Sequence, residues 1–166
     1  MSWSGTTPQN AVFAYSMTQI AAKAINMNGG DQFRVALFNN GGTPDRTVTT
    51  ATLCSYGGSG SQWVTGNEVT SSGYTAGGGT AGNVTGAISQ SSNVVYFTST
   101  SSPSWSGVTF SGSNEPYGIL LYDTTVSGNI LGICFNYFGA QTVTAGTFTI
   151  TFATSPVTGA IASFTC

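Results

Sequence analysis

Thr147-Phe148-Thr149-Ile150-Thr151-Phe152-Ala153 alternates hydroxyl-bearing and apolar side chains. In an extended chain successive side chains point to opposite faces, so this stretch presents one apolar face and one face of hydroxyls. That is the pattern of a half-buried strand. Two other stretches, residues 117–123 and 130–138, are the most apolar in the chain and are expected as central strands, joined by a loop at 124–129. Phe33-Arg34-Val35-Ala36-Leu37-Phe38 reads as a further buried strand and runs into Asn39-Asn40-Gly41-Gly42, which is strong turn chemistry. Residues 84–89, 94–97, 108–110 and 160–165 have the same character, with Ser, Gly and Pro turns between them. A short strand is also expected over 48–53, and a helical turn around 62–69. Strands this short and this closely spaced predict an all-β fold: an antiparallel β-sandwich of jelly-roll or immunoglobulin-like topology.

One segment reads differently. Val12, Phe13, Met17, Ile20, Ala21 and Ala24 recur near helical spacing, with Thr7 as a cap, Pro8 in the first position and Gly29-Gly30 as the stop. The spacing predicts a short N-terminal helix running to about Asn26 or Asn28. Residues 1–7 read as a loose polar arm in which Trp3 is the large side chain. The chain thus divides into an N-terminal arm and helix, 1–30, and a β-sandwich domain, 31–166. Within the latter lies a long Gly/Ser-rich loop at 55–83, anchored by Trp63, Val69 and Tyr74. Loops of that length are uncommon without a role in binding or packing.

Composition excludes several functions. Of 166 residues, 3 are Lys or Arg, 5 are Asp or Glu, and none is His. Three cations cannot neutralise a run of phosphates, so nucleic acid is not an expected partner. Without His, and with three scattered Cys, the common zinc, haem and iron–sulfur sites are not expected, nor is a His-based triad or general base. No apolar run reaches the roughly 18 residues of a membrane span. The chain contains 21 Ser and 26 Thr, which must keep a nearly uncharged surface wet. Surfaces of this kind suit a protein held in an assembly.

Cys54, Cys134 and Cys166 are odd in number, so at least one thiol is free or pairs between chains. Cys134 lies within an apolar run and reads as a small buried hydrophobe, Cys54 adjoins the Gly/Ser loop, and Cys166 is last in the chain. Reduced thiols in a cytoplasmically made protein are expected. Residues 1–10 lack a basic and apolar leader pattern, so a signal peptide is not expected.

The candidate sites do not assemble into catalytic chemistry. Glu115 and Asp123 flank one strand and stand about 26 Å apart in extended chain, too far for a pair of glycosidase carboxylates. Asp123, before Thr124-Thr125, is expected to cap a turn. Asp31, Asp45 and Glu68 are too scattered for calcium. Gly77-Gly78-Gly79-Thr80-Ala81-Gly82 lacks the lysine of a phosphate loop and reads as a flexible surface loop. Trp63, Tyr74, Tyr96, Trp105, Tyr117, Tyr122 and Tyr137 could offer a sugar-stacking platform, although several sit in apolar strands that favour the core. Asp31 with Arg34, and Asp45 with Arg46, are candidate ion pairs. No catalytic, cofactor-binding or metal-binding residue is assigned, no cofactor is expected, and the protein is not expected to be an enzyme.

The order of segments carries a family likeness. Asp31 to Phe38 is followed by Asn67-Glu68-Val69, Gly73-Tyr74-Thr75-Ala76-Gly77-Gly78 and Val94-Val95-Tyr96-Phe97. After these come Trp105-Ser106-Gly107-Val108-Thr109-Phe110, Tyr117-Gly118-Ile119-Leu120-Leu121-Tyr122-Asp123 and Val143-Thr144-Ala145-Gly146-Thr147-Phe148-Thr149-Ile150. Over about residues 31–165 this resembles a group of tailed-bacteriophage virion proteins of the minor structural, head-decoration or head-fibre type. The stretch Ser101-Ser102-Pro103-Ser104 departs from that pattern, where family members carry acids before the tryptophan. The composition of 55–66 departs as well. The resemblance implies a capsid decoration or cement protein in the virion, made in the host bacterial cytoplasm. Its partner would be the major capsid protein of a phage, and the protein would be a homo-oligomer such as a trimer, with no membrane or nucleic-acid partner. A tail, neck or fibre component, or a carbohydrate-binding module for host surface recognition, is the alternative. The helix and the 55–83 segment are the expected contact regions.

Overall fold

The computed structural model describes residues 2–5, 9–91, 94–126, 131–152 and 162–165, with the backbone alone at 89, 91, 94–96 and 162–165. Within them the protein is mostly antiparallel β-structure with few helices. In chain order the strands are β1 (Ala11–Val12), β2 (Phe33–Phe38), β3 (Asn83–Val84), β4 (Gly86–Ser91), β5 (Val94–Ser99), β6 (Ser104–Phe110), β7 (Gly118–Asp123), β8 (Leu131–Tyr137), β9 (Val143–Thr149) and β10 (Ala162–Thr165). The helices are α1 (Ala14–Ala21) and α2 (Ala51–Cys54), with short 3-10 turns elsewhere. Three sheets form, ordered β1-β8-β7-β2-β3, β10-β5-β4, and the ribbon β6-β9.

The five-stranded sheet is the centre. Every residue of β7 is buried, as are all but Arg34 in β2, as expected for apolar runs covered on both faces. Register fixes the faces: Phe33 lies opposite Asp123, Ala36 opposite Leu120, and Leu120 opposite Phe135. One face carries Phe38, Leu120 and Phe135. Rings of Trp3, Phe13 and Trp63 pack on it, with Trp63 centred 5.1 Å from Phe38 and 5.7 Å from Phe135. The other face carries Phe33, Ile119 and Cys134. Phe97 of β5 meets Phe33 there at 5.2 Å between ring centres. In the 147–153 stretch the expected alternation appears as Thr147, Thr149 and Thr151 outward and exposed, with Phe148, Ile150 and Phe152 turned inward. Residue 153 lies outside the described residues. The strand itself begins earlier, at Val143, and Ile150 donates its N–H to the Pro103 carbonyl at 2.9 Å.

Several local expectations are corrected. The helix is shorter than its spacing predicted, because Ala11 and Val12 pair with Phe135 and Cys134 as β1, and Phe13 N–H reaches the Ile133 carbonyl at 3.1 Å. Here sheet pairing overrides helical periodicity. Helical bonding ends at Lys23, which sits at φ +60°; Thr7 and Pro8 fall outside the described residues. The 48–53 strand is instead the single turn α2, and 62–69 is a series of turns rather than a helix. Trp3, read as part of a loose arm, is 0 % exposed. Its ring lies 5.5 Å from Trp63 and its indole N–H donates to the Gln9 carbonyl at 3.2 Å. The space it fills exists because position 118 is glycine: a Cβ there would stand 2.3 Å from the Trp3 ring.

Trp3→Ala should therefore behave as a large-to-small core substitution and cost about 3–5 kcal/mol, read as a lowered urea midpoint. A stability within about 0.5 kcal/mol of the parent would be the value for a surface residue and would place Trp3 outside the core.

Candidate functional site

The Gly/Ser-rich segment 55–83 is anchored in the core through buried residues that include Trp63, Glu68, Val69, Tyr74, Gly77 and Gly78, while residues between them remain exposed. Glu68, 4 % exposed, accepts three hydrogen bonds. Tyr74 Oη and Gly77 N–H donate to Oε1, each at 2.6 Å, and Tyr56 Oη donates to Oε2 at 2.7 Å. Tyr74 Oη in turn accepts the Leu37 N–H of β2 at 2.9 Å, and the Leu37 carbonyl accepts Val69 N–H. Tyr122 Oη donates to the Gly77 carbonyl at 2.6 Å while its ring stacks on Tyr56 at 5.2 Å. Burial and the adjacent Glu68 carboxylate hold the Tyr56 and Tyr74 phenols protonated, well above their ordinary range. The glycine run expected as a flexible surface loop lies against β2. Gly78 has φ +78°, and a Cβ on it would stand 1.9 Å from the Val35 carbonyl oxygen, so only glycine permits this approach.

The platform aromatics separate in the structure. Trp63, Tyr74, Trp105 and Tyr122 are all buried, and Trp105 spends its indole N–H on the Gly78 carbonyl at 2.9 Å. None of these four offers a face to a sugar. Tyr117 and Tyr137 are half-buried and pair at 6.3 Å; the Tyr96 side chain lies outside the described residues.

The acids are likewise spoken for locally. Asp45 accepts the N–H and hydroxyl of Thr47, which hold its carboxyl below the usual range. Glu115 accepts the Thr142 hydroxyl at 2.6 Å. Asp123 caps a turn as expected, taking Thr125 N–H at 2.6 Å. Arg34 donates to Asn83 at 3.1 Å and Asp31 accepts Asn26 N–H at 2.6 Å, so each has a neutral partner. Among the described residues no three His, Cys, Asp or Glu side chains gather in a way that would hold a metal ion. Burial pushes the thiols of Cys54 and Cys134 up to about 11 and about 12, so neither is an activated nucleophile; Cys166 lies outside the described residues.

What the surface offers is an open groove of about 420 Å³. Its floor comes from β7 and β8, through Ile119, Cys134 and Asn136, and its opposite wall from Phe148, Ile150 and Phe152. Phe138 closes one side, its ring 6.1 Å from that of Phe148. Gln141, Thr149 and Thr151 supply polar groups without charge. The alternation of 147–153 signalled the apolar wall. Nothing in the sequence signalled that this wall and the sheet would leave a gap.

Replacing the carboxylate tests the packed loop. Glu68→Gln sets an amide N–H₂ against donors and should cost about 2–3 kcal/mol in chemical denaturation, whereas Glu115→Gln, half-buried and still able to accept the Thr142 hydroxyl through its amide oxygen, should cost less than about 1 kcal/mol. Equal, small effects would show that the carboxylate does not organise the segment. No family model, curated protein or solved structure matches the chain.

Proposed function

We propose that the protein is a non-enzymatic structural protein of a tailed-bacteriophage virion, a decoration or cement protein bound to the outer capsid shell. The observation that carries this reading is the apolar groove between Ile119 and Cys134 on one side and Phe148, Ile150 and Phe152 on the other, edged by hydroxyls and amides. Such a surface is recognised by apolar burial and neutral hydrogen bonds, not by charge. The ordered resemblance over 31–165 supports the same reading. On this view the partner is the major capsid protein, and a homo-oligomer such as a trimer would multiply weak contacts across the shell. The same reading takes the five-stranded sheet and the β6-β9 ribbon as the layers of a β-sandwich, jelly-roll or immunoglobulin-like. The groove joins α1 and the exposed residues of 55–83 as an expected contact.

Quantitative mass spectrometry of purified parent particles tests this. A ratio to the major capsid protein near one-to-one, or a simple fraction such as one-third, is expected. A handful of copies would instead mean a tail, neck or fibre position. Absence from particles would overturn the virion reading and favour a glycan-binding module. Ile150→Asp should abolish retention on particles while leaving the circular dichroism spectrum unchanged. Retention of the parent protein should hardly change between low and moderate salt.

A further inference from the structure

The end of β7 holds a group that the proposed role does not use. Asp123 is 0 % exposed. Its Oδ1 accepts the N–H groups of Thr125 and Val126, at 2.6 and 3.4 Å, but Oδ2 is buried without a donor. A buried carboxylate oxygen left bare is costly. Asp123 sits opposite Phe33 in the β2–β7 ladder, and Asp31 is two residues before Phe33. Asp31 stands in the bend just before β2, where its carboxyl lies close enough to act on that of Asp123. The backbone around them is tied firmly: Gln32 N–H donates to Thr125 Oγ1 at 2.6 Å, and the Gln32 carbonyl accepts Thr124 N–H at 2.8 Å. Two carboxylates are thus held together where neither has a donor to give.

We propose that Asp31 and Asp123 form a carboxyl–carboxylate pair that shares one proton through Asp123 Oδ2 and locks the start of β2 to the end of β7. The proton supplies the donor that Oδ2 lacks. When it leaves to solvent, two like charges face each other, one of them on the fully buried Asp123 and the other on the half-exposed Asp31. Burial pushes the Asp123 carboxyl up to about 6; the Thr125 N–H pulls it back, and Asp31 adds to the rise. Among the described residues Asp31 is the charged group facing it. β8 presents Leu131 at the paired position, and Arg34 belongs to the opposite face, bonded to Asn83. The folded state holds this proton more tightly than the unfolded chain. Its stabilisation is therefore complete below about pH 4, the ordinary aspartate range, and is lost as pH rises through about 6.

The test is a pH series of denaturation curves on the full chain, parent against Asp123→Asn and Asp31→Asn. An asparagine at 123 keeps the Thr125 contact and donates permanently from its amide. Relative to Asp123→Asn, the parent's unfolding constant should rise about a hundredfold between pH 4 and pH 7.5, the factor set by a shift of about two pKa units; relative to Asp31→Asn the rise should be smaller, because burial still acts on Asp123 there. Carboxyl ¹³C shifts supply a readout independent of variant stability. One aspartate inflection near 6, lost in Asp123→Asn and moved down in Asp31→Asn, is expected; an inflection that Asp31→Asn leaves unmoved would overturn the shared proton. Ordinary titration of both aspartates near 4 would overturn the proposal. So would a rise in parent Tm on adding calcium or magnesium at neutral pH that Asp123→Asn lacks, since a cation would then occupy the place given to the proton.

Discussion

A single buried carboxylate organises the part of the molecule that looks least structured. Glu68 collects Tyr56, Tyr74 and the Gly77 amide, and through Tyr74 it reaches the backbone of β2. β2 pairs with β3 over Phe33 and Arg34 only, so much of its outer edge has no neighbouring strand. An open edge of this kind is a template for unwanted pairing. Here it is closed by a phenol hydroxyl, by Val69 and by glycines that lie against the strand. Glycine is required because Gly78 must approach the Val35 carbonyl more closely than any Cβ allows. A buried carboxylate is tolerated when its oxygens accept hydrogen bonds, and Glu68 takes two donors on Oε1 and one on Oε2.

The same logic explains where the few charges went. Of five acids in the whole chain, Glu68 and Asp123 are buried, and the exposed Asp45 caps its own turn. With so few charged residues in the chain, little charge is left for the outside. The exterior relies on hydroxyl pairs such as Ser104 with Thr149 across the β6-β9 ribbon. A surface of this kind has weak long-range fields, so close fit decides what it meets.

Much of the architecture was legible where local pattern and tertiary burial agree. The apolar runs of β2, β7 and β8 appear as strands, and the Thr alternation around Phe148 and Ile150 sorts the faces correctly. Legibility fails where a residue's role is set by something distant in sequence. Trp3 is a core residue because position 118 is glycine. Ala11 and Val12 are sheet because β8 lies beside them, despite their helical spacing. Glu68 looked like an isolated acid, although Tyr74 and the glycines of 77–79, following soon after, were the available sign that it had partners. The groove depends on a gap between two layers, which no periodicity records.

The pairing of chain-distant strands also bears on how the fold is reached. Ala11 and Val12 wait for Phe135 and Cys134, Phe33 waits for Asp123, and Trp3 has its pocket only after Gly118 and Phe135 are in place. Little of the central sheet can form before residues 118–137 have been made. Topologies dominated by such remote contacts fold in milliseconds to seconds, with apolar segments uncovered in the interval. The aromatic residues that anchor the finished molecule are thus its chief liability during synthesis, and crowding among nascent copies would act on them first.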